Sequence, residues 1–145
     1  MKSKLARVAA AALLLLDGSA PAQAQQAEKI YRIGFITSSS GGTVLDAFRQ
    51  GLKEAGYVEG KNVIIEARYW EGRAERAPEL VADLLRLKID VLVTSGTPAA
   101  LAAKQATTAI PIVFTAAGDP VGSGFVASLA RPGGNITGLS NINLD

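Results

Sequence analysis

Asp90-Val91-Leu92-Val93-Thr94-Ser95-Gly96-Thr97-Pro98 is the stretch whose reading decides the fold. Val91-Leu92-Val93 is an unbroken apolar run, and a strand of that kind must be covered on both faces, as in the middle of a parallel sheet. Thr97-Pro98 then reads as a helix start. A threonine cap accepts a hydrogen bond from a free N–H of the first turn, and proline at the first helical position brings a preset φ and loses no needed donor. The signature recurs at Ala117-Gly118-Asp119-Pro120, directly after Pro111-Ile112-Val113-Phe114, where Asp119 is expected to cap another helix. All strand ends of this kind lie on one edge of a parallel sheet. Both helix N-termini are therefore expected to face one crevice, offering N–H groups and positive dipole ends to a small anionic ligand.

Working outward, Ile33-Gly34-Phe35-Ile36 is a second buried-strand run, and Val63-Ile64-Ile65-Glu66-Ala67-Arg68-Tyr69 alternates in its second half, as an edge strand does. Val44, Leu45, Phe48, Leu52 and Ala55 share one helical face, with Thr43 and Asp46 placed for a capping box and Gly56 for the stop. Ala77, Leu80, Val81, Leu84 and Leu87 repeat the pattern behind the polar turn Glu71-Gly72-Arg73. Thr97 to Ala106 predicts a short alanine-rich helix, Val121 to Ala130 a fourth helix halted by Arg131-Pro132-Gly133-Gly134, and Asn135 to Leu139 a fifth strand. The fold class is α/β: a doubly wound parallel sheet, flavodoxin-like, with right-handed crossovers, strand order 2-1-3-4-5 and a crevice between the ends of strands one and three.

The N-terminal residues read as a secretory signal. Lys2, Lys4 and Arg7 precede the apolar run Val8 to Leu16, and Ala22-Gln23-Ala24 offers a small-x-small cleavage site. The run is shorter than the roughly 20 residues a bilayer span needs. Residues 1–24 are thus expected to be a signal peptide, 25–29 a linker, and the mature product periplasmic. Removing residues 1–24 takes away three of the 15 basic residues and one of the 13 acidic, so the mature chain is neutral and nucleic acid is not an expected partner.

The chain has neither cysteine nor histidine. A Ser-His-Asp triad, a cysteine nucleophile and a His/Cys zinc site all lack their parts, and no catalytic residue, metal or cofactor is expected. The carboxylates on the crevice side are Asp119, more simply a helix cap, and Glu71. Gly122-Ser123-Gly124-Phe125-Val126-Ala127 matches G-x-G-x-x-A, but its first glycine does not sit in the turn right after a strand, and close helix packing is the simpler reading. A receiver domain would need an aspartate at the end of strand three, where Thr94-Ser95-Gly96 stands. The crevice is instead lined by Thr37, Ser38, Ser39, Ser40, Gly41 and Gly42, by Ser95, Gly96 and Thr97, and by Gly118 and Asp119, groups that hold a carboxylate without reacting with it. Tyr69 and Trp70 are placed either to stack on a ligand or to close the core at the sheet edge. The alternative from another class is a self-contained exported flavodoxin-like nucleotide binder or enzyme.

Tyr31-Arg32-Ile33-Gly34-Phe35, then Phe48-Arg49-Gln50-Gly51-Leu52 with Gly56-Tyr57-Val58-Glu59-Gly60-Lys61-Asn62, then Gly118-Asp119-Pro120-Val121 and Leu129-Ala130-Arg131-Pro132-Gly133-Gly134-Asn135-Ile136-Thr137-Gly138 resemble the ABC-transporter substrate-binding proteins of the tryptophan/tyrosine-binding type. The resemblance runs from about Tyr31 to the end of the chain, and its most specific part is GDPV together with ARPGGNITG. It implies a type I periplasmic-binding-protein fold, in which two doubly wound lobes close on a small ligand such as an amino acid or aromatic carboxylate and the closed form docks on a membrane permease. It implies that Ser38, Ser39, Ser40, Gly41, Ser95, Gly96, Thr97, Pro98, Gly118 and Asp119 match cleft-lining segments of the first lobe. Such proteins carry a second lobe. Residues 30–140 are accordingly expected to be the N-terminal lobe of a truncated form, and 141–145 the start of the crossover to the missing one.

Overall fold

The computed structural model describes residues 29–141; the expected signal peptide, most of the linker and residues 142–145 lie outside them. Five strands form one parallel sheet: β1 Tyr31–Thr37, β2 Val63–Tyr69, β3 Val91–Thr94, β4 Ile112–Ala117 and β5 Ile136–Ser140, in the order β2-β1-β3-β4-β5. Three helices cross between them: α1 Thr43–Glu54, α2 Ala77–Arg86, entered through a 3₁₀ turn at Ala74–Arg76, and α3 Thr97–Ala106. This is the expected doubly wound order.

Strand alternation sorts the core into two layers. Ile36, Leu92, Ile112, Phe114 and Ile136 point to the side of α2 and α3, where they meet Leu80, Val81, Leu84, Ala99, Ala100 and Ala103. Ile33, Phe35 and Val93 point the other way, to Leu45, Phe48 and Leu52 of α1. The alanine face of α3 is fully enclosed, with Ala99, Ala100 and Ala103 at 0% exposure. Small side chains there let a helix lie close on the sheet, which fixes the position of its N-terminus. At the β2 edge Glu66 pairs with Arg32 at 3.2 Å, consistent with the polar edge read from the alternation.

Helix termini separate what local sequence decides from what it does not. α1 stops as expected: Gly56 has φ +89°, its N–H donates to Lys53 O at 3.1 Å, and Tyr57 N–H donates to Leu52 O at 2.8 Å, a Schellman closure. Its start differs. Gly42 occupies the cap position, Thr43 is already helical, and no side chain caps the helix, so the Thr43–Asp46 box does not form. The larger correction is the expected fourth helix over Val121 to Ala130, which is absent. After Pro120 the chain makes one tight turn, with Ser123 N–H donating to Asp119 O at 2.9 Å and Phe125 N–H to Pro120 O at 2.9 Å, and Gly124 then takes φ +72°. Two glycines in four residues each cost about 1 kcal/mol in a helix. The chain gains more by turning inward and burying Phe125 and Val126, the Phe125 ring lying 6.1 Å from that of Phe114.

The ARPGGN segment closes the lobe. Ala127 N–H donates to Pro132 O at 2.9 Å, and Arg131 N–H to Ser128 Oγ at 3.0 Å. Asn135 Nδ2 donates to Thr107 O at 3.1 Å and Ile110 O at 2.8 Å, and Asn135 O accepts from Ile112 N–H at 2.8 Å. One asparagine thus clamps the loop entering β4 to the loop entering β5. ARPGGN, one of the two segments most specific to the resemblance, is a structural clasp at the edge opposite the crevice.

Candidate ligand cleft

The site is assembled at the carboxyl ends of the strands, where the chain leaves β1 and β3 toward opposite faces of the sheet. Backbone hydrogen bonds lace the loops there. Ser95 N–H donates to Ile36 O at 2.9 Å, Gly96 N–H to Ala116 O at 3.0 Å, Trp70 N–H to Thr37 O at 3.2 Å, and Asn141 N–H to Ala117 O at 3.2 Å. Ser38, Ser39, Ser40 and Gly41 form the exposed loop between β1 and α1, Ser95 and Gly96 link β3 to α3, and Thr97 and Pro98 are the first residues of α3. The expected set from strands one and three therefore meets at one edge.

α3 begins one residue earlier than Thr97-Pro98 suggested. The cap is Gly96, with φ +101°, and Thr97 is the first helical residue, its hydroxyl making no capping bond. Trp70 explains the choice of glycine: a Cβ at Gly96 would stand 3.1 Å from the indole Cη2, in a backbone region that side chains rarely adopt. The first turn of α3 is consequently left without a side-chain cap, and Thr97 is exposed at its start.

Gly118 and Asp119 end β4 at the same edge, but not as a helix start. Asp119 has φ +34°, and its Oδ1 accepts from Gly122 N–H at 2.8 Å within its own turn. The second helix N-terminus expected at the crevice does not exist, and the Asp119 carboxylate is already engaged. Trp70, 6% exposed, belongs to the core beside α2 and α3, while Tyr69 packs on the α1 side. Of the two readings of these aromatics, closing the core is the one observed. Beneath Ser95, the Thr94 hydroxyl is fully buried without a hydrogen-bond partner.

Among the described residues no cluster of three or more His, Cys, Asp or Glu residues comes together to hold a metal, and no helix is long and apolar enough to cross a membrane. The arrangement offers hydroxyls, backbone N–H groups and one helix N-terminus on a rigid parallel sheet. It is equipped to hold a small polar or anionic molecule.

A family model described as ABC transporter substrate binding protein matches residues 29–144, and the chain belongs to that family. Over 94 residues it is 36% identical to a tyrosine-binding protein of Clostridioides difficile (strain R20291), covering 65% of this chain and 27% of that protein. Among solved structures it is similar to a conserved domain protein from Vibrio cholerae, with TM-score 0.72 and 40% identity over 79% of this chain and 40% of that one. An ABC domain from Streptococcus pneumonia in complex with L-Trp superimposes with TM-score 0.67 and 32% identity, over 76% of this chain and 38% of that one. The fold is thus a lobe of a periplasmic binding protein, and the chain spans about two fifths of the length of these solved relatives.

Proposed function

We propose that residues 30–140 are the N-terminal lobe of an extracytoplasmic substrate-binding component of an ABC importer. In this reading a small organic ligand, an amino acid or aromatic carboxylate, is held between this lobe and a second one, and the closed protein delivers it to a membrane permease. The observation that carries the reading is the meeting of the Ser38–Gly41 loop with the uncapped start of α3 at the β1/β3 switch point. The ligand carboxylate sits at the first turn of α3, held by backbone N–H groups and the hydroxyls of Ser95 and Thr97, with Gly118 and Asp119 forming the far wall. Each neutral hydrogen bond contributes about 0.5–1.5 kcal/mol, and more where the ligand is charged. The relatives described as tyrosine-binding and as an L-Trp complex support the ligand class. Residues 1–24 act as a signal peptide, 25–29 as a linker and 141–145 as the beginning of the crossover. The protein is a binder without a cofactor or a nucleic-acid partner, and a single lobe binds weakly because half the cleft stays open to water.

Amide chemical shifts of the isotopically labelled chain, followed during titration with L-tyrosine and L-tryptophan, test the site at weak affinity. Shifts confined to Ser38–Gly42 and Ser95–Ala99 are expected, with Thr97→Val weakening binding several-fold. Shifts elsewhere, or none, overturn the assignment.

A further inference from the structure

The turn after β2 holds the cleft in shape. Arg73 N–H donates to Trp70 O at 3.0 Å, and both central residues have positive φ, 50° at Glu71 and 73° at Gly72. This mirror-image turn favours Asn, Asp or Gly at its first central position, and another residue there costs about 1 kcal/mol or more. Glu71 accepts that strain while bridging to the serine loop. Its N–H donates to Ser38 O at 2.8 Å, and its Oε1 accepts from Ser40 N–H at 3.2 Å. One residue thereby grips both ends of Ser38-Ser39-Ser40. Its neighbour Trp70 donates its N–H to Thr37 O at 3.2 Å and lays its indole against Gly96, the cap of α3.

We propose that Trp70 and Glu71 are positioning residues of the cleft, bracketing the serine loop and the start of α3 into one frame on which ligand affinity depends. The inference rests on the ligand site proposed above and adds a polarity to it. The Ser40 N–H is committed to the Glu71 carboxylate, so the serine loop presents hydroxyls beside a fixed negative charge. That end suits a hydrogen-bond donor on the ligand, such as an ammonium group, and the ligand's carboxylate is directed to the positive N-terminus of α3.

Two readouts on the full chain separate the bracket from the ligand site. Hydrogen exchange of the Ser40 amide is expected to accelerate at least about tenfold in Glu71→Ala and to return toward the parent rate in Glu71→Gln, which keeps an acceptor oxygen. L-tyrosine, followed by amide shifts, is expected to bind about two- to tenfold more weakly to Glu71→Ala, with Glu71→Gln in between because the geometry returns without the charge. Gly96→Ala, which displaces the indole, weakens tyrosine binding while Ser40 stays protected. Unchanged Ser40 exchange in Glu71→Ala overturns the bracket whatever happens to the ligand. Lost protection with unchanged tyrosine affinity overturns its role in binding. If the parent chain shows no tyrosine-dependent shifts, the proposed ligand site fails, and the exchange rates alone decide the bracket.

Discussion

Asn135 is the residue at which side-chain chemistry and fold are tied most tightly, and replacing it by aspartate is expected to harm the lobe more than replacing it by alanine. Its Nδ2 donates to two carbonyls, Thr107 O at 3.1 Å and Ile110 O at 2.8 Å. Asn135→Ala removes both bonds at a half-buried position. At about 0.5–1.5 kcal/mol net per bond, the expected loss is about 1–3 kcal/mol. Asn135→Asp keeps the shape but carries no donor when ionised, and it places a negative charge against the same two oxygens. It therefore adds repulsion and desolvation to the same deficit, and a total of about 3–5 kcal/mol is expected at pH 7. Urea unfolding followed by circular dichroism gives the three stabilities. Facing two carbonyls, the new carboxyl keeps its proton to higher pH in the folded state than in the unfolded one, so the aspartate variant should regain stability as the pH falls from 7 toward about 4, with the recovery complete near the unfolded value, while the alanine variant does not. An aspartate variant at least as stable as the alanine variant at pH 7 would falsify the account of ARPGGN as a clasp.

Three further outcomes follow from the packing. Thr94→Val removes a buried hydroxyl that has no partner while keeping the shape, so stability should stay level or rise by up to about 1 kcal/mol; a loss above that would show that the hydroxyl has a partner. Gly138→Ala would put a Cβ 2.0 Å from Phe114 O, and because backbone cannot step aside the β4–β5 pairing should weaken by at least about 3 kcal/mol, visible as a lowered urea midpoint; a loss below about 1 kcal/mol would contradict the register. The Asp90 carboxyl is held below the usual carboxylate range, first by the Arg32 backbone N–H at 2.8 Å and then by Lys29 at 3.1 Å. Its contribution is therefore present above pH ~4 and lost as the pH falls through the folded value, so the gap between the parent chain and Asp90→Asn should narrow on acidification; a gap that widens refutes the sign.

Read alone, the chain determined its sheet. Val91-Leu92-Val93 and Ile112-Val113-Phe114 demanded cover on both faces, right-handed crossovers implied a doubly wound sheet, and Glu66 and Arg68 marked an early edge strand consistent with the observed order 2-1-3-4-5, because apolar periodicity and chain handedness are local properties. The stop at Gly56 was equally legible, since a left-handed residue after an amphipathic run needs no distant partner. Tertiary structure alone decided which competing local options won. Asp119-Pro120 carries a helix-start signature as good as that of Thr97-Pro98, yet the Gly122–Gly124 stretch turns so that Phe125 can reach Phe114, a burial invisible in the residues themselves. The cap of α3 fell to Gly96 because its φ of +101° disfavours a side chain and a Cβ there would crowd Trp70, 26 positions away. The grip of Glu71 on Ser38 and Ser40 joins two strand ends that become neighbours only once β1 and β2 are paired. Periodicity reports which face of an element is buried; which side chains then meet at the edge of the sheet depends on long-range packing that no window of sequence contains.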